Sequence, residues 1–339
     1  MTIAPSPSST DALPAIKHDY LPVLLPIALS ALALPFVGNP TTWVTLTVAA
    51  LAMGMMIFVI ASGLTLVFGL MDVLNFGHGA FIAVGAYLAM SVLILLSGWV
   101  QVDSLGWNLM ALGLAVIVAM IGTGALGWAF ERIIVKPVYG QHLKQILITM
   151  GGLIVAEQLI HVIWGGDQKA MALPTGLRGA VVFGDFAIEK FRILAVVVGL
   201  VVFAAMMIVL NRTRIGLLIR AGVENSEMVE ALGYRIRRLF VGVFVVGSAL
   251  AGLGGVMWAL YRETLTAAIG GDVMVLVFIV IIIGGLGSVG GCFIGAILVA
   301  MMANYTAFLL PKLALASNIL LMVAILMWRP QGLYPVAKR

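Results

Sequence analysis

The side chains able to do chemistry in this sequence are few, and they fall into four places. His78 stands in Val73-Leu-Asn-Phe-Gly-His-Gly-Ala-Phe, so an imidazole, the Asn75 amide and the pliant backbone of Gly77 and Gly79 lie within five residues. Such a set either packs one helix against another through a hydrogen bond to a neighbouring carbonyl or to Asn75, or lines a path for a polar solute. Glu157 and His161 are four apart, on one face of a helix, where each can satisfy the other. Gly284-Gly-Leu-Gly-Ser-Val-Gly-Gly offers bare backbone at Gly284, Gly285 and Gly287 and one hydroxyl at Ser288. These glycines serve either close helix packing, including Gly291-x-x-x-Gly295, or a pathway lining. Finally, Arg212 to Arg238 holds nine charged residues, six of them arginine, in a chain that is only 10% charged.

Several chemistries are excluded by what is missing. There is no His-Glu-x-x-His and the four histidines are widely separated, so no metal site and no cofactor are expected. No Gly-Lys dipeptide occurs, hence no P-loop for ATP. Gly285-Leu-Gly287-Ser-Val-Gly290 matches a dinucleotide fingerprint, but it sits inside an apolar run with no strand–helix unit around it. The lone Cys292 has no disulfide partner and reads as a packing residue. No clustered catalytic set is present, and the chain is not expected to be an enzyme.

The elements that must position these groups are membrane helices. At 63% hydrophobic over 339 residues, the chain is far from the roughly 25% charged composition of soluble domains. An all-α polytopic membrane protein follows. Residues 1–19, rich in Ser, Pro and Ala, read as a flexible tail. The apolar region spans 20–330, and 331–339 read as a C-terminal tail. Leu21 to Val37 is an uncleaved first helix in preference to a signal peptide, because the residues before it are not a basic n-region. Further runs are Trp43–Gly69, Trp107–Phe130, Lys144–Trp164, Ile193–Leu210, Leu239–Tyr261 and Leu313–Trp328, and the His78 segment follows the first of these at once. Residues 272–310 are too long for one span and break at the Gly284 motif.

Loop charge orients the spans. Arg132, Lys136 and Lys144, the six arginines of 212–238, and Arg329, Lys338 and Arg339 belong on the cytoplasmic side; 98–106, 165–190 and 262–272 belong outside. About ten crossings satisfy this alternation, or eight if short pieces re-enter. Gly77, Gly85-Ala86 and Leu88 recur at one constant offset as Gly287, Gly295-Ala296 and Leu298, each set after a break, which suggests a two-fold internal repeat. Within 212–238, a helix through Ala221 to Leu232 puts Glu224, Glu227 and Glu230 on one side and Ala221, Met228, Val229 and Leu232 roughly opposite. That stretch is either a solvated loop whose arginines fix orientation or a docking surface for a partner.

Asn75-Phe-Gly-His-Gly79 with Gly85-Ala-Tyr, Arg220-Ala with Glu224-Asn and Ala231-Leu-Gly233, Gly284-Gly-Leu-Gly-Ser288 and Arg329-Pro-Gln-Gly-Leu333 occur in that order. Together they resemble the landmarks of branched-chain amino acid ABC transporter permeases of the LivH type, from about Trp43 to Leu333. The resemblance implies an ATP-driven importer in a bacterial inner membrane, working with a second permease that is a paralogue, cytoplasmic ATPase subunits and a periplasmic binding protein. It also implies that the 212–238 loop couples to the ATPase, with Arg220, Glu224, Met228, Leu232 and Gly233 matching the loop helix. The implied cargo is branched-chain or related amino acids, with urea, amides or small aromatic carboxylates as the alternative. Outside that resemblance, an ATP-independent channel or carrier needs coupling carboxylates at mid-membrane, for which Glu157 is the clear candidate.

Overall fold

The computed structural model describes residues 20–224 and 226–334, so the expected N-terminal tail lies outside the described residues. Helix α1 (Leu21–Val37) opens with Pro22 in its first turn, where a missing N–H costs nothing. Helix α2 (Pro40–Met71) is capped by Asn39, whose side chain accepts from the N–H groups of Thr41 at 2.9 Å and Thr42 at 3.4 Å. It ends at Asp72, in left-handed backbone. Helix α3 (His78–Leu95) leads through the short α4 (Ser97–Gln101) to α5 (Leu105–Phe130). A π-helical turn, Glu131–Val135, continues α5, and Pro137 ends it. Helix α6 (His142–Trp164) follows.

A small β layer comes next: β1 (Lys169–Ala170), then a hairpin of β2 (Ala180–Phe183) and β3 (Phe186–Glu189). Helix α7 (Lys190–Arg212) returns to the two short helices α8 (Arg214–Glu224) and α9 (Ser226–Ala231). Helix α10 (Ile236–Arg262) ends at β4 (Thr264–Leu265), which pairs antiparallel with β1. Helices α11 (Ile269–Gly284), α12 (Val289–Leu309) and α13 (Ala314–Trp328) complete the chain. Among the described residues, α2, α3, α5, α6, α7, α10 and α12 are long and apolar enough to cross a membrane, and α1, α11 and α13 are shorter apolar helices. This is the all-α polytopic architecture, with the break in 272–310 where the sequence puts it.

Helices apolar on every side belong at the centre. Helix α2 is buried from Met55 through Val67, and α10 from Ala251 through Leu260. The two cross where Gly63 and Gly247 bring their backbones together. Helix α3 lies on α10, with Gly85 against Gly252, and α12 lies on α2, with Gly54 against Ile297. A stacked pair, Phe203 and Phe293 at 4.1 Å, with Phe58 edge-on to both, ties α7 and α12 to α2. The outer faces of α6 and α7 stay exposed and apolar, as at Val162 and Val201.

Pairings between loops divide the two ends of the bundle. The three segments expected outside do meet: Thr175 Oγ1 donates to Val100 O at 3.2 Å, and Met171 N to Glu263 O at 3.0 Å. At the other, basic end, His142 Nε2 is 3.8 Å from Asp72 Oδ2. There too Leu333 N donates to Ile283 O at 2.8 Å and Tyr334 N to Gly284 O at 3.0 Å. Residues 331–334, which the sequence assigns to a tail, are therefore held on the end of α11.

Candidate functional site

The segment between α2 and α3 does not lie flat at the bundle's end. His78, the first residue of α3, is buried, and its Nε2–H donates to Ile60 O of α2 at 3.0 Å. Ile60 stands eleven residues before the end of α2, roughly 16 Å along the axis at the α-helical rise. The chain turns at Asp72, runs back into the protein through Val73 and Asn75, both fully buried, and starts α3 at that depth. Irregular backbone at membrane depth is tolerable only when enclosed by protein, and here it is. Phe76 N is met by Thr149 Oγ1 of α6 at 3.1 Å, and Phe76 packs on Phe278 of α11 at 4.7 Å. Gly79 lies against Gly270 of α11.

Of the two readings of His78, the side-chain contact observed is with a backbone carbonyl of a neighbouring helix; His78 meets Asn75 only through the backbone, His78 N donating to Asn75 O at 3.3 Å, and not through the Asn75 amide. Asn75 is the exception in the segment: fully buried, with neither amide atom hydrogen-bonded. Gln145 Oε1, buried on α6, is likewise unmet.

The second break is built of backbone. Gly284 faces Gly291 across the turn, and Ser288 caps α12, its Oγ accepting from Gly291 N at 3.1 Å. Gly285 and Gly287 have φ of 98° and 82°, values that side chains disfavour. A Cβ placed on Gly69 of α2 would lie 2.6 Å from the Cα of Gly287. The second break thus docks on the last turn of α2, three residues before the first break begins. The two glycine segments that the sequence paired both lie near the end of α2, and each opens a helix, α3 at His78 and α12 at Val289.

In the 212–238 loop the described residues are helical over Arg214–Glu224 (α8) and Ser226–Ala231 (α9), on both sides of residue 225, which lies outside the described residues of the helix expected over Ala221 to Leu232. Arg220 is exposed, its Nε donating to Gly216 O at 3.4 Å. The side chain of Glu224 lies outside the described residues. The apolar side is split rather than continuous. Ile219 and Val229 are buried against the bundle, whereas Met228 and Leu232 are 62% and 71% exposed. Gly233, at φ 87°, ends α9: Tyr234 N returns to Val229 O at 3.3 Å and Gly233 N to Glu230 O at 2.9 Å. This paired closure needs left-handed backbone at that position.

Glu157 and His161 form no hydrogen bond with each other; Glu157 instead lies beside Gly271 at the start of α11. Sequence reasoning missed a buried polar cluster at the basic end. Glu131, 2% exposed, accepts from Tyr139 Oη at 2.6 Å. Burial, and next that hydrogen bond, push the Tyr139 phenol up, which keeps it a donor. It also missed an open cleft of about 570 Å³ between the end of α5 and the start of α10. The arginines of that cleft were visible as charges, but nothing in their spacing brought Arg132 to Arg237.

Residues 46–328 match the family described as branched-chain amino acid transport system / permease component. The chain is 29% identical over 294 residues to the high-affinity branched-chain amino acid transport system permease protein BraD of Pseudomonas aeruginosa, covering 84% of this chain and 94% of that one. It is 28% identical over 281 residues to LivH of Escherichia coli K12, with 81% and 89% covered. LivM of the same organism, also a permease protein of that high-affinity system, is 27% identical over 361 residues, covering 96% of this chain and 78% of its own. No solved structure matches significantly.

Proposed function

The chain belongs to the family of branched-chain amino acid transport permease components, and from that premise we propose how it works: as the membrane-spanning subunit of an ATP-driven importer. It supplies the translocation path for branched-chain or related amino acids in a bacterial inner membrane. ATP is hydrolysed on separate cytoplasmic ATPase subunits. A second permease, a paralogue in the manner of the LivM relative, completes the path, and a periplasmic binding protein delivers and selects the cargo.

The observation that carries this reading is the match over 46–328, which runs from α2 into α13 and takes in both loop helices. The geometry supports a coupling role for the loop. Met228 and Leu232 face outward as an apolar contact for the ATPase, flanked by Arg220, while Val229 and Ile219 anchor the same helices to the bundle. Gly233 turns α9 directly into α10, and α10 crosses α2 at Gly247 and Gly63. Helix α2 in turn holds His78 through Ile60. A push on α9 therefore reaches the buried turn through rigid helices and close backbone contacts, the kind of linkage that biases a two-state membrane domain. Asn75, Gly77, His78 and Gly79 on one break, and Gly284, Gly285, Gly287 and Ser288 on the other, are the parts we assign to the translocation path.

The test is co-purification from detergent-solubilised membranes. Glu224→Lys and Gly233→Pro are expected to lose the ATPase while inserting normally in the membrane. Retention of the ATPase by both variants would sink the coupling assignment.

A further inference from the structure

The cleft at the basic end borders the coupling loop at Gly233, but its arginines have no part in the transport mechanism above. It is walled by the end of α5, with Trp128 and Arg132, and by the approach to α10, with Arg235, Arg237 and Arg238; among the described residues Glu230 is the only acidic group in its lining. All four arginines are exposed, and among the described residues none forms an ion pair. Four guanidinium groups around one opening repel one another unless an anion joins them, and guanidinium forks are matched to phosphate oxygens.

Three further features give the anion's source. The cleft sits where two spans leave the apolar region, on the face that carries the positive loops. Trp128 is 49% exposed beside it, with the Arg132 guanidinium 5.8 Å from its ring, in the position of an interfacial aromatic. Beyond the charged rim the wall becomes apolar at Val241, and the outer side of α5 continues it through Ile121 and Ile117, 67% and 53% exposed. Next to Val241, nothing lies within 4 Å of the space a Cβ would take on Gly242. A free phosphate uses only the rim. A lipid uses both the rim and the apolar track.

We propose that this cleft binds the phosphodiester headgroup of an anionic phospholipid from the leaflet on the basic face, with an acyl chain along α5 and α10. The bound headgroup bridges α5 to α10, and so steadies the entry of the helix that carries the coupling loop's motion.

The experiment uses the full chain with whatever subunits co-purify, in mild detergent, by native mass spectrometry. Phosphatidylglycerol and phosphatidylcholine of identical chains are titrated into the wild type, Arg235→Ala/Arg237→Ala, and Arg235→Lys/Arg237→Lys. The wild type is expected to hold phosphatidylglycerol at least about tenfold more tightly than phosphatidylcholine, and the alanine pair to lose that preference. Equal retention of the two lipids by the wild type overturns the proposal, as does an alanine pair that binds phosphatidylglycerol like the wild type. Inorganic phosphate displacing the lipid at similar concentration would make this a free-phosphate site and also overturn it. Loss of a co-purifying ATPase with lipid binding unchanged would make it a protein dock. Should the alanine pair misfold, quenching by brominated phosphatidylglycerol decides: Trp128→Phe must remove a quenched component, and unchanged quenching refutes the proposal.

Discussion

The two breaks in the bundle solve the same problem with opposite means. Both interrupt a pair of apolar helices near one end of α2, and both must satisfy backbone groups away from water. The break at 285–288 does so with backbone alone. Its glycines take φ values of 98° and 82°, Ser288 caps the next helix, and residues 333–334 hydrogen-bond to the carbonyls of Ile283 and Gly284 that end α11. The break at 72–77 uses side chains: Thr149 meets Phe76 N, His78 reaches Ile60 O, and Asn75 is left with both amide atoms unmet. The break at 285–288 is a clamp whose contacts must be broken together to move it. The break at 72–77 already carries the cost of an unsatisfied buried amide, roughly 1–3 kcal/mol, and rearranging it loses less. The difference locates rigidity at Gly287 and compliance at Asn75.

Breaking the clamp is expected to have the largest effect. Gly287→Val adds a branched side chain where φ is 82° and the last turn of α2 lies in contact. Strain and overpacking together cost at least about 3 kcal/mol. Thermal unfolding in detergent should fall sharply, with little folded protein recovered. A variant of near wild-type stability would show that the second break is loose.

Next in size is the exposed apolar pair of the loop. Met228→Asp/Leu232→Asp leaves the buried anchors Ile219 and Val229 untouched, so folding should hold. Truncating an interface anchor costs about 2 kcal/mol or more, so co-purifying ATPase should drop by at least about tenfold. An unchanged yield of ATPase would mean that the loop docks through its charges. Smaller again is His78→Ala, which orphans Ile60 O of its second partner and leaves a cavity; about 1–3 kcal/mol is expected, read as a lowered unfolding temperature. His78→Gln, which restores a donor, should recover part of it.

Much of this was legible because membrane helices announce themselves by run length and loops by charge. Leu21–Val37 is bounded in the structure as the sequence bounds it, and the break in 272–310 falls at the glycine motif. Two kinds of feature were not legible. The Glu131–Tyr139 bond and the arginine cleft depend on which loop ends are brought together, and composition carries no such information. Leu333 and Tyr334 read as part of a tail in sequence, yet their N–H groups meet the carbonyls of Ile283 and Gly284 that end α11. For the site itself, the residue types were visible and the depth was not. Nothing in Asn75-Phe-Gly-His78 says that the chain folds back to the level of Ile60.

The smallest expected effect on stability is the most informative about the comparison. Asn75→Leu keeps the side chain's approximate volume and removes the two unmet polar atoms. If the amide does nothing but pack, the exchange relieves about 1 kcal/mol or more of desolvation cost, and stability should rise or stay level with transport intact. If instead the amide finds its partners only when the α2–α3 turn moves, the resting form is stabilised relative to the moved one. Uptake into membrane vesicles then falls while the unfolding temperature does not. Stability and uptake measured on one preparation separate these outcomes, because the clamp at Gly287 is untouched by the substitution. A fall in both would mean that Asn75 holds the resting structure together, and the assignment of compliance to the first break would fail.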